Sequence, residues 1–126
     1  MDDMYREMII DHYKNPRNYG KVINPDIVKR DSNPLCGDEI ELFVKLENDS
    51  IKKIGFEGKG CAICMASTSM LTEEIHGKNL KHVLNMQRED MLDLIGVNLT
   101  ASRVKCAMLG LTCMKKGIVE FEEAKK

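Results

Sequence analysis

The sequence predicts an α+β fold in which a small antiparallel sheet of about three strands packs against an N-terminal helix and C-terminal helices. Three observations lead to this prediction: helical periodicity at the start of the chain, alternating segments in the middle, and helical periodicity again to the end. The length of 126 residues suits one domain with a single core, and no linker or repeat divides it.

The first predicted element is a helix over residues 2–14. Met4, Met8 and Ile9 recur at helical spacing, with charged residues between them. Pro16 ends this helix, because the residue before a proline is disfavoured in the α-helical region.

Strands are predicted in the middle of the chain. Residues 39–47 alternate between apolar and polar, residues 48–50 have turn chemistry, and residues 51–57 return as a second strand. This pair is most simply an antiparallel hairpin. A third strand around residues 27–31 has a weaker signal.

Helical periodicity resumes after the glycines that end the second strand. We predict one helix over residues 62–76, a second over residues 80–94 and a last over residues 101–116. Gly117 is predicted to end the last helix, and the charged residues 120–126 are expected to fray.

Composition limits the partners of this chain. The 19 Lys and Arg residues nearly balance the 20 Asp and Glu residues, giving a net charge of −1, which argues against a nucleic-acid partner held by a general basic field. No apolar run is long enough to predict a membrane span. The acidic N-terminal segment is unlike a secretory signal, so we expect a cytoplasmic protein.

Five cysteines stand out against this ordinary composition. An odd number in a reducing compartment favours metal ligands, reactive thiols or core residues over a disulfide framework. Cys36 lies in a Pro/Gly loop before a strand, Cys61 in a glycine-rich turn before a helix, and Cys106 in the first turns of the last helix. Ligand residues often occupy such loops, and a helix N-terminus lowers the pKa of a thiol.

Asp38 follows Cys36 by two residues, so both side chains project to the same side if the segment is extended. Three thiolates and one carboxylate would complete a tetrahedral site for a soft or borderline metal. A carboxylate is a poorer ligand for iron–sulfur chemistry than a fourth thiolate, so such a site would release its cargo more easily.

The remaining cysteines and the histidines give weaker indications. Cys61 and Cys64 form a C-x-x-C motif, which suggests redox or zinc chemistry, and Cys64 could face either the site or the core. Cys113 is predicted to be a core residue in the middle of a helix. The three histidines are predicted at exposed or helix-end positions, as solvated or packing residues rather than ligands: His12, His76 and His82.

Four segments carry a specific resemblance to a known family. They are residues 4–18 with an Asn-Pro-Arg-Asn turn, the loop 33–38, the turn 60–63 followed by Ala66-Ser67, and residues 103–106. On these motifs the chain resembles, over nearly its whole length, the IscU/NifU/SufU-type iron–sulfur cluster assembly scaffold proteins.

The resemblance implies an IscU/SufU-like fold, with residues 1–126 forming a single NifU N-terminal-like domain. It implies that Cys36, Cys61 and Cys106 bind an iron–sulfur cluster or a zinc ion, with Asp38 as an exchangeable ligand. It also implies a cysteine desulfurase partner, which delivers persulfide sulfur onto Cys106 as the acceptor.

Lys105 stands where the IscU branch has a histidine, and residues 103–106 are similar to the SufU or archaeal-type branch. The insertion that SufU proteins carry between the second and third cysteines is not evident, so the two sub-family marks disagree. A cation beside Cys106 would lower the pKa of its thiol and cannot bind a metal, which favours Asp38 as the fourth ligand. Alternatively, Lys105 is solvated and has no role; Lys105 and Cys64 are therefore auxiliary candidates.

Three functions compete. The first is a scaffold, not an enzyme, on which a [2Fe–2S] cluster assembles from iron and desulfurase-derived sulfur before transfer to apo-proteins. The second is a SufU-like sulfurtransferase in which Zn²⁺ uses the same four ligands and one thiol accepts persulfide. The third, a structural zinc domain, is least favoured because closed zinc sites prefer four Cys or His ligands. Expected partners are the cysteine desulfurase, apo recipient proteins, an iron donor or reductant, and a second copy of the chain in a cluster-bridged homodimer.

Overall fold

The computed structural model describes residues 2–125. It confirms the predicted α+β fold, with one three-stranded antiparallel sheet and five helices in this part of the chain. In chain order the elements are α1 (Asp2–Lys14), β1 (Ile27–Asn33), β2 (Asp38–Glu47), β3 (Ser50–Lys59), α2 (Ala62–Ile75), α3 (Leu80–Asn85), α4 (Arg88–Ile95) and α5 (Ala101–Ala124).

The sheet has the order β1-β2-β3, and its pairing brings two loops together. The β1–β2 hairpin pairs Asn33 with Asp38, so its loop consists of residues 34–37. Strand β2 pairs with β3 so that Glu39 lies opposite Lys59. The hairpin loop and the turn that follows β3 therefore lie at the same end of the sheet.

The core lies between one face of the sheet and helices α2 and α5. Ile40, Leu42, Val44 and Phe56 are fully buried on the strands. Helix α5 packs on β1 and β2, whereas α2 packs on β3, α5 and α1. Helix α2 is therefore central, and its buried residues include four with hydroxyl groups: Ser67, Thr68, Ser69 and Thr72.

The single helix predicted over residues 80–94 is wrong, because the structure has two helices there. Met86 is extended (φ −65°, ψ 136°), and Gln87 is the N-cap of α4. The backbone N–H of Gln87 donates to the Asp90 carboxylate at 2.7 Å, which stabilises a new helix N-terminus. Lys115 from α5 also donates to the carbonyl of Met86.

The predicted end of the last helix at Gly117 is also wrong, since α5 continues to Ala124. A Cβ on Gly117 would lie 3.0 Å from both Ile27 Cγ2 and Lys29 Cβ, so glycine here allows α5 to approach β1 closely. Lys29 then forms an ion pair with Glu120 at 2.6 Å, which holds the turn that was expected to fray. Lys126 lies outside the described residues.

His12 lies in the last turn of α1 and is only 6% accessible, so it is a packing residue, one of the two roles predicted for the histidines. Its Nδ1 lies 2.7 Å from Ser69 Oγ, which accepts the backbone N–H of Arg17 at 2.8 Å. A Ser69 hydroxyl that donates to Nδ1 places the imidazole proton on Nε2, which lies 3.6 Å from Glu73. Burial lowers the pKa of His12, so this side chain is a neutral packing residue. We call His12, Ser69 and Arg17 the helix clasp.

Within residues 2–125, no helix combines the length and the apolar character that crossing a bilayer requires.

Candidate metal centre

Four of the predicted site residues meet at the end of the sheet that carries the two loops. Cys36, Asp38 and Cys106 place one ligand atom each within 4.8 Å of one another. The Sγ atoms of Cys106 and Cys36 are 3.4 Å apart. Cys61 joins them from α2, with its Sγ 3.8 Å from Asp38 Oδ2.

Cys36 stands at the tip of the β1–β2 hairpin and is exposed. Its backbone N–H donates to the carbonyl of Asn33 at 3.1 Å, which closes a tight turn. Gly37 has a φ of +71°, a left-handed conformation that favours glycine. The turn therefore presents the Cys36 thiol at the rim of the site, beside the exposed side chain of Leu35.

Asp38 begins β2 and is fully buried. Its Oδ1 accepts the backbone N–H of Cys61 at 2.9 Å, which leaves Oδ2 directed toward the thiols. A Cβ on Gly60 would lie only 2.6 Å from Oδ1, so glycine is needed for this close approach. From its sequence position, Gly60 was predicted to belong to the turn that ends the strand, and its place directly before Cys61 was the available signal for this closer role.

Cys61 is the N-cap of α2, with extended backbone angles (φ −68°, ψ 164°). Its Sγ accepts the backbone N–H of Cys64 at 3.4 Å, in the way that an N-cap oxygen commonly does. The thiol is half-buried and lies where the helix dipole favours negative charge.

Cys106 lies in the second turn of α5 and is only 1% accessible. Burial, reinforced by the side chains of Cys36, Cys61 and Asp38, raises the pKa of its thiol. This shift of the Cys106 pKa is opposite to the lowering that was expected from Lys105. The side chain of Lys105 is exposed and lines a surface cleft together with Asp31. Since its side-chain neighbours are themselves acids, a bound cation would be needed to favour the thiolate.

The two other cysteines are both fully buried. Cys64 lies one turn into α2, and burial, followed by the charges of Asp38 and Cys61, raises the pKa of its thiol to about 12. Burial likewise raises the pKa of Cys113 to about 12, and its Sγ donates to the carbonyl of Lys29 at 3.4 Å. Cys113 is a core residue, as predicted, whereas Cys64 lies in the core directly behind the site.

The donor set fits a tetrahedral metal. Metal–sulfur bonds of about 2.3 Å place two thiolates about 3.8 Å apart in such a site. The separations of 3.4 Å between Cys106 and Cys36 and of 3.8 Å between Cys61 and Asp38 are close to that value. Three sulfur atoms and one oxygen suit Zn²⁺ or the iron of a cluster.

This fold and donor set are those of a metal-binding thiol–carboxylate domain. Residues 4–126 match the family described as NifU-like N terminal domain, and the chain belongs to this family.

Its relatives carry two different descriptions. The chain is 41% identical over 139 aligned positions to "Zinc-dependent sulfurtransferase SufU" of Bacillus subtilis, covering 97% of this chain and 94% of that protein. It is 33% identical over 118 positions to "Iron-sulfur cluster assembly scaffold protein IscU 1" of Archaeoglobus fulgidus, covering 94% and 76%. The first alignment is longer than the 126 residues of this chain, so that relative has residues that this chain lacks.

A solved structure supports the same fold assignment. The crystal structure of a candidate iron–sulfur cluster assembly scaffold protein for the SUF system from Fervidobacterium islandicum superimposes with a TM-score of 0.75 and 30% sequence identity. The match covers 89% of this chain and 94% of that chain.

Proposed function

We propose that the protein is a scaffold on which a [2Fe–2S] cluster is assembled from iron and desulfurase-derived sulfur, then transferred to apo-proteins. The observation that carries this proposal is the convergence of Cys36, Asp38 and Cys106 within 4.8 Å, with Cys61 beside Asp38. Membership of a family with relatives described as cluster assembly scaffolds supports it.

The four ligands have different parts in this function. Cys36 is exposed and is the thiol that a sulfur donor meets first, whereas Cys106 is buried 3.4 Å behind it. Sulfur accepted at the rim can therefore pass by thiol–persulfide exchange to Cys106, which holds it as the persulfide acceptor. Asp38 is the weaker ligand, so it is the one that yields when the cluster leaves.

The partners follow from this chemistry. A cysteine desulfurase supplies the persulfide, an iron donor and a reductant supply iron and electrons, and apo-proteins receive the cluster. The exposed hairpin tip at Cys36 and Leu35 is accessible to such partners and to a second copy of the chain in a cluster-bridged homodimer. The chain is a template and carrier rather than an enzyme, and it acts in the cytoplasm.

A zinc-bound sulfurtransferase is the second candidate, favoured by the 41% identity to the protein described as zinc-dependent SufU. Zn²⁺ would be held by the same four side chains, and its chemistry is to keep the thiols deprotonated. The exposed Cys36 could then leave the metal to accept persulfide, with Lys105 nearby as a solvated cation.

Anaerobic reconstitution separates the two functions. The chain is incubated with ferrous iron, cysteine and a cysteine desulfurase, and its visible spectrum and metal content are recorded. The scaffold function predicts iron–sulfur absorption and about two irons per two sulfides in a cluster-bearing chain. Retention of zinc without iron–sulfur absorption would overturn it in favour of the sulfurtransferase.

An Asp38→Ala variant tests the labile ligand in the same assay. With Asp38 as the exchangeable ligand, the variant should keep its cluster longer and transfer it more slowly to a recipient ferredoxin-type protein. An unchanged transfer rate would contradict this role. Circular dichroism controls for the lost hydrogen bond to Cys61.

A further inference from the structure

Cys61 is shared between the site and its own helix, because its Sγ lies 3.8 Å from Asp38 Oδ2 and also accepts a backbone N–H of α2. Cys36, Asp38 and Cys106 place their ligand atoms within 4.8 Å of one another, whereas the Sγ of Cys61 accepts the N–H of Cys64 at the start of its own helix. Three ligands with an open fourth position can still hold a metal. Cys61 is therefore the ligand best placed to leave the metal without emptying the site.

Cys64 is the one thiol adjoining the site that is not a predicted ligand. It lies three residues after Cys61 on α2, and its side chain is fully buried. Residues three apart on a helix share a face, with Cβ atoms about 5–6 Å apart, and a disulfide requires about 3.5–4.5 Å. Because Cys61 is a half-buried N-cap rather than an internal helical residue, a small rotation of this residue can close the gap.

Paired cysteines at the start of a helix are a known setting for thiol–disulfide chemistry, with an outer thiol that reacts and an inner thiol that resolves. Here the half-buried Cys61 is the outer thiol and the fully buried Cys64 is the inner one. The function described above uses Cys61 only as a ligand and leaves Cys64 without a role. That function also requires the delivered sulfur to be reduced to sulfide.

We propose that Cys64 is a resolving thiol that releases sulfide from a persulfide on Cys61, an inference that rests on the proposed function. The outer sulfur passes from a Cys106 persulfide to the Cys61 thiol, which regenerates the Cys106 thiol. The Cys64 sulfur then attacks Cys61 Sγ, the sulfur–sulfur bond to the outer atom breaks, and a Cys61–Cys64 disulfide forms. The outer sulfur leaves as hydrogen sulfide with the protons of the persulfide and of Cys64.

The electrons balance within this step. The two cysteine sulfurs are oxidised to a disulfide, and their two electrons reduce the transferred sulfur to sulfide. Another turnover needs a dithiol reductant, such as a thioredoxin-type protein, to restore both thiols. Cys36, Asp38 and the regenerated Cys106 thiol would then be available to hold a metal, so sulfide would be released beside that site.

A single-turnover experiment tests the step on the full chain without added reductant. The protein is loaded with persulfide in two separate arms, one using a cysteine desulfurase with cysteine and the other using inorganic polysulfide. Excess donor is removed, and sulfide release is followed anaerobically. The variants are Cys64→Ser and Cys64→Ala, and the matched control is Cys113→Ser, which alters another fully buried helical thiol.

Peptide mapping identifies the disulfide, because trypsin leaves Cys61 and Cys64 in one peptide and places Cys36 and Cys106 in two others. Cleavage after Lys59 and Lys78 leaves Cys61 and Cys64 in one peptide, so their disulfide appears as the loss of two hydrogens and resistance to alkylation. Cleavage after Lys105 places Cys106 in a different peptide from Cys36, so a disulfide between those two would join separate peptides.

The proposal predicts that wild type and Cys113→Ser release about one sulfide per persulfide and form the Cys61–Cys64 disulfide. Both Cys64 variants should retain the persulfide, with sulfide release slowed about tenfold or more. Equal release by folded Cys64 variants, or a disulfide joining Cys36 to Cys106, would overturn it. Sulfide release that depends on Cys64 in the polysulfide arm, with no loading in the desulfurase arm, would support this step while contradicting the proposed source of sulfur.

Discussion

Two polar clusters are anchored on helix α2, and they differ in how their members satisfy one another. In the helix clasp, Ser69 Oγ accepts the Arg17 N–H and hydrogen-bonds to His12 Nδ1, so both neighbours of Ser69 have a hydrogen-bond partner. At the metal centre, Cys106 is surrounded by Cys36, Cys61 and Asp38, which are all acids. The groups of the helix clasp therefore hydrogen-bond to one another without a ligand. The side chains that surround the Cys106 thiol are acids, so a bound cation would supply the positive charge that favours its thiolate.

This contrast separates a cluster that stabilises the fold from one that is a candidate metal site. Burial raises the pKa of the Cys106 thiol, so this group contributes no charge pairing to the fold by itself, and it would bind a metal by exchanging its proton for the cation. The clasp instead joins the turn after α1 to the middle of α2. Mutations in the two clusters should therefore separate metal affinity from folding stability.

The largest expected effect is a loss of zinc affinity in the variant Cys106→Ser. A hydroxyl replaces a thiolate whose Sγ is 3.4 Å from that of Cys36, so zinc affinity should fall by about two orders of magnitude or more. Competition with a chromophoric chelator measures this affinity. Cys113→Ser, which alters a buried thiol on the same helix outside the site, should keep wild-type affinity, and equal losses in the two variants would refute the assignment.

The second effect concerns a matched pair of glycines. A Cβ on Gly60 would lie 2.6 Å from Asp38 Oδ1, and one on Gly110 would lie 2.8 Å from Thr68 Oγ1. Both Ala variants should lose about 1–3 kcal/mol of unfolding free energy through overpacking. Only Gly60→Ala displaces the carboxylate, so only it should lower zinc affinity, by about tenfold or more. Urea unfolding measures the stability of both variants, and chelator titration measures their zinc affinity. A similar loss of affinity in Gly110→Ala would contradict the local role of Gly60.

These glycines show why the sequence predicted part of the molecule and not the rest. Strand alternation, the turn at residues 48–50 and the start of α2 depend on neighbouring residues, so they were predictable. The end of α5 was not, because Gly117 acts through its packing against β1 rather than as a local helix breaker. The break before Gln87 was missed because a capping interaction, rather than the apolar period, decides it.

The candidate site likewise has features that neighbouring residues determine and features that tertiary packing determines. Cys36, Asp38 and Cys61 were visible in the sequence because they lie in or beside turns with recognisable chemistry. Cys106 lies inside α5 and was identified through the family resemblance of residues 103–106. The hydrogen bond from the Cys64 N–H to the Cys61 Sγ was not visible, since it depends on the N-cap conformation of Cys61. The shift of the Cys106 pKa was predicted with the wrong sign, because the burial of that thiol depends on tertiary packing.

Ser69→Ala should have a smaller effect than the site variants on metal binding and a clear effect on stability. It leaves His12 Nδ1 and the Arg17 N–H without their partner, which should cost about 1–3 kcal/mol of unfolding free energy. Zinc affinity should stay at the wild-type value. Thr112→Ala, at an exposed position of α5, is the control and should change stability by about 0.5 kcal/mol or less. A loss of zinc affinity in Ser69→Ala would show that the two clusters are coupled.

The smallest expected effect is a pH dependence of folding stability that arises from His12 in the helix clasp. The pKa of His12 is lowered by burial and by Arg17, with Glu73 and Asp11 acting in the opposite direction. The unfolded chain therefore binds more protons than the folded chain between the folded pKa and about 6.5, so stability falls as the pH drops through this window.

The variant His12→Gln is neutral at every pH and should lack this component of the acid response. Urea unfolding of wild type and variant at pH 7.5 and pH 5.5 isolates it, because the titration of the metal-site acids is common to both chains. The wild type should lose more stability on acidification than the variant, with an excess slope of at most about 1.4 kcal/mol per pH unit. Identical slopes would mean that the pKa of His12 is the same in the folded and unfolded chains, which would contradict the lowered pKa.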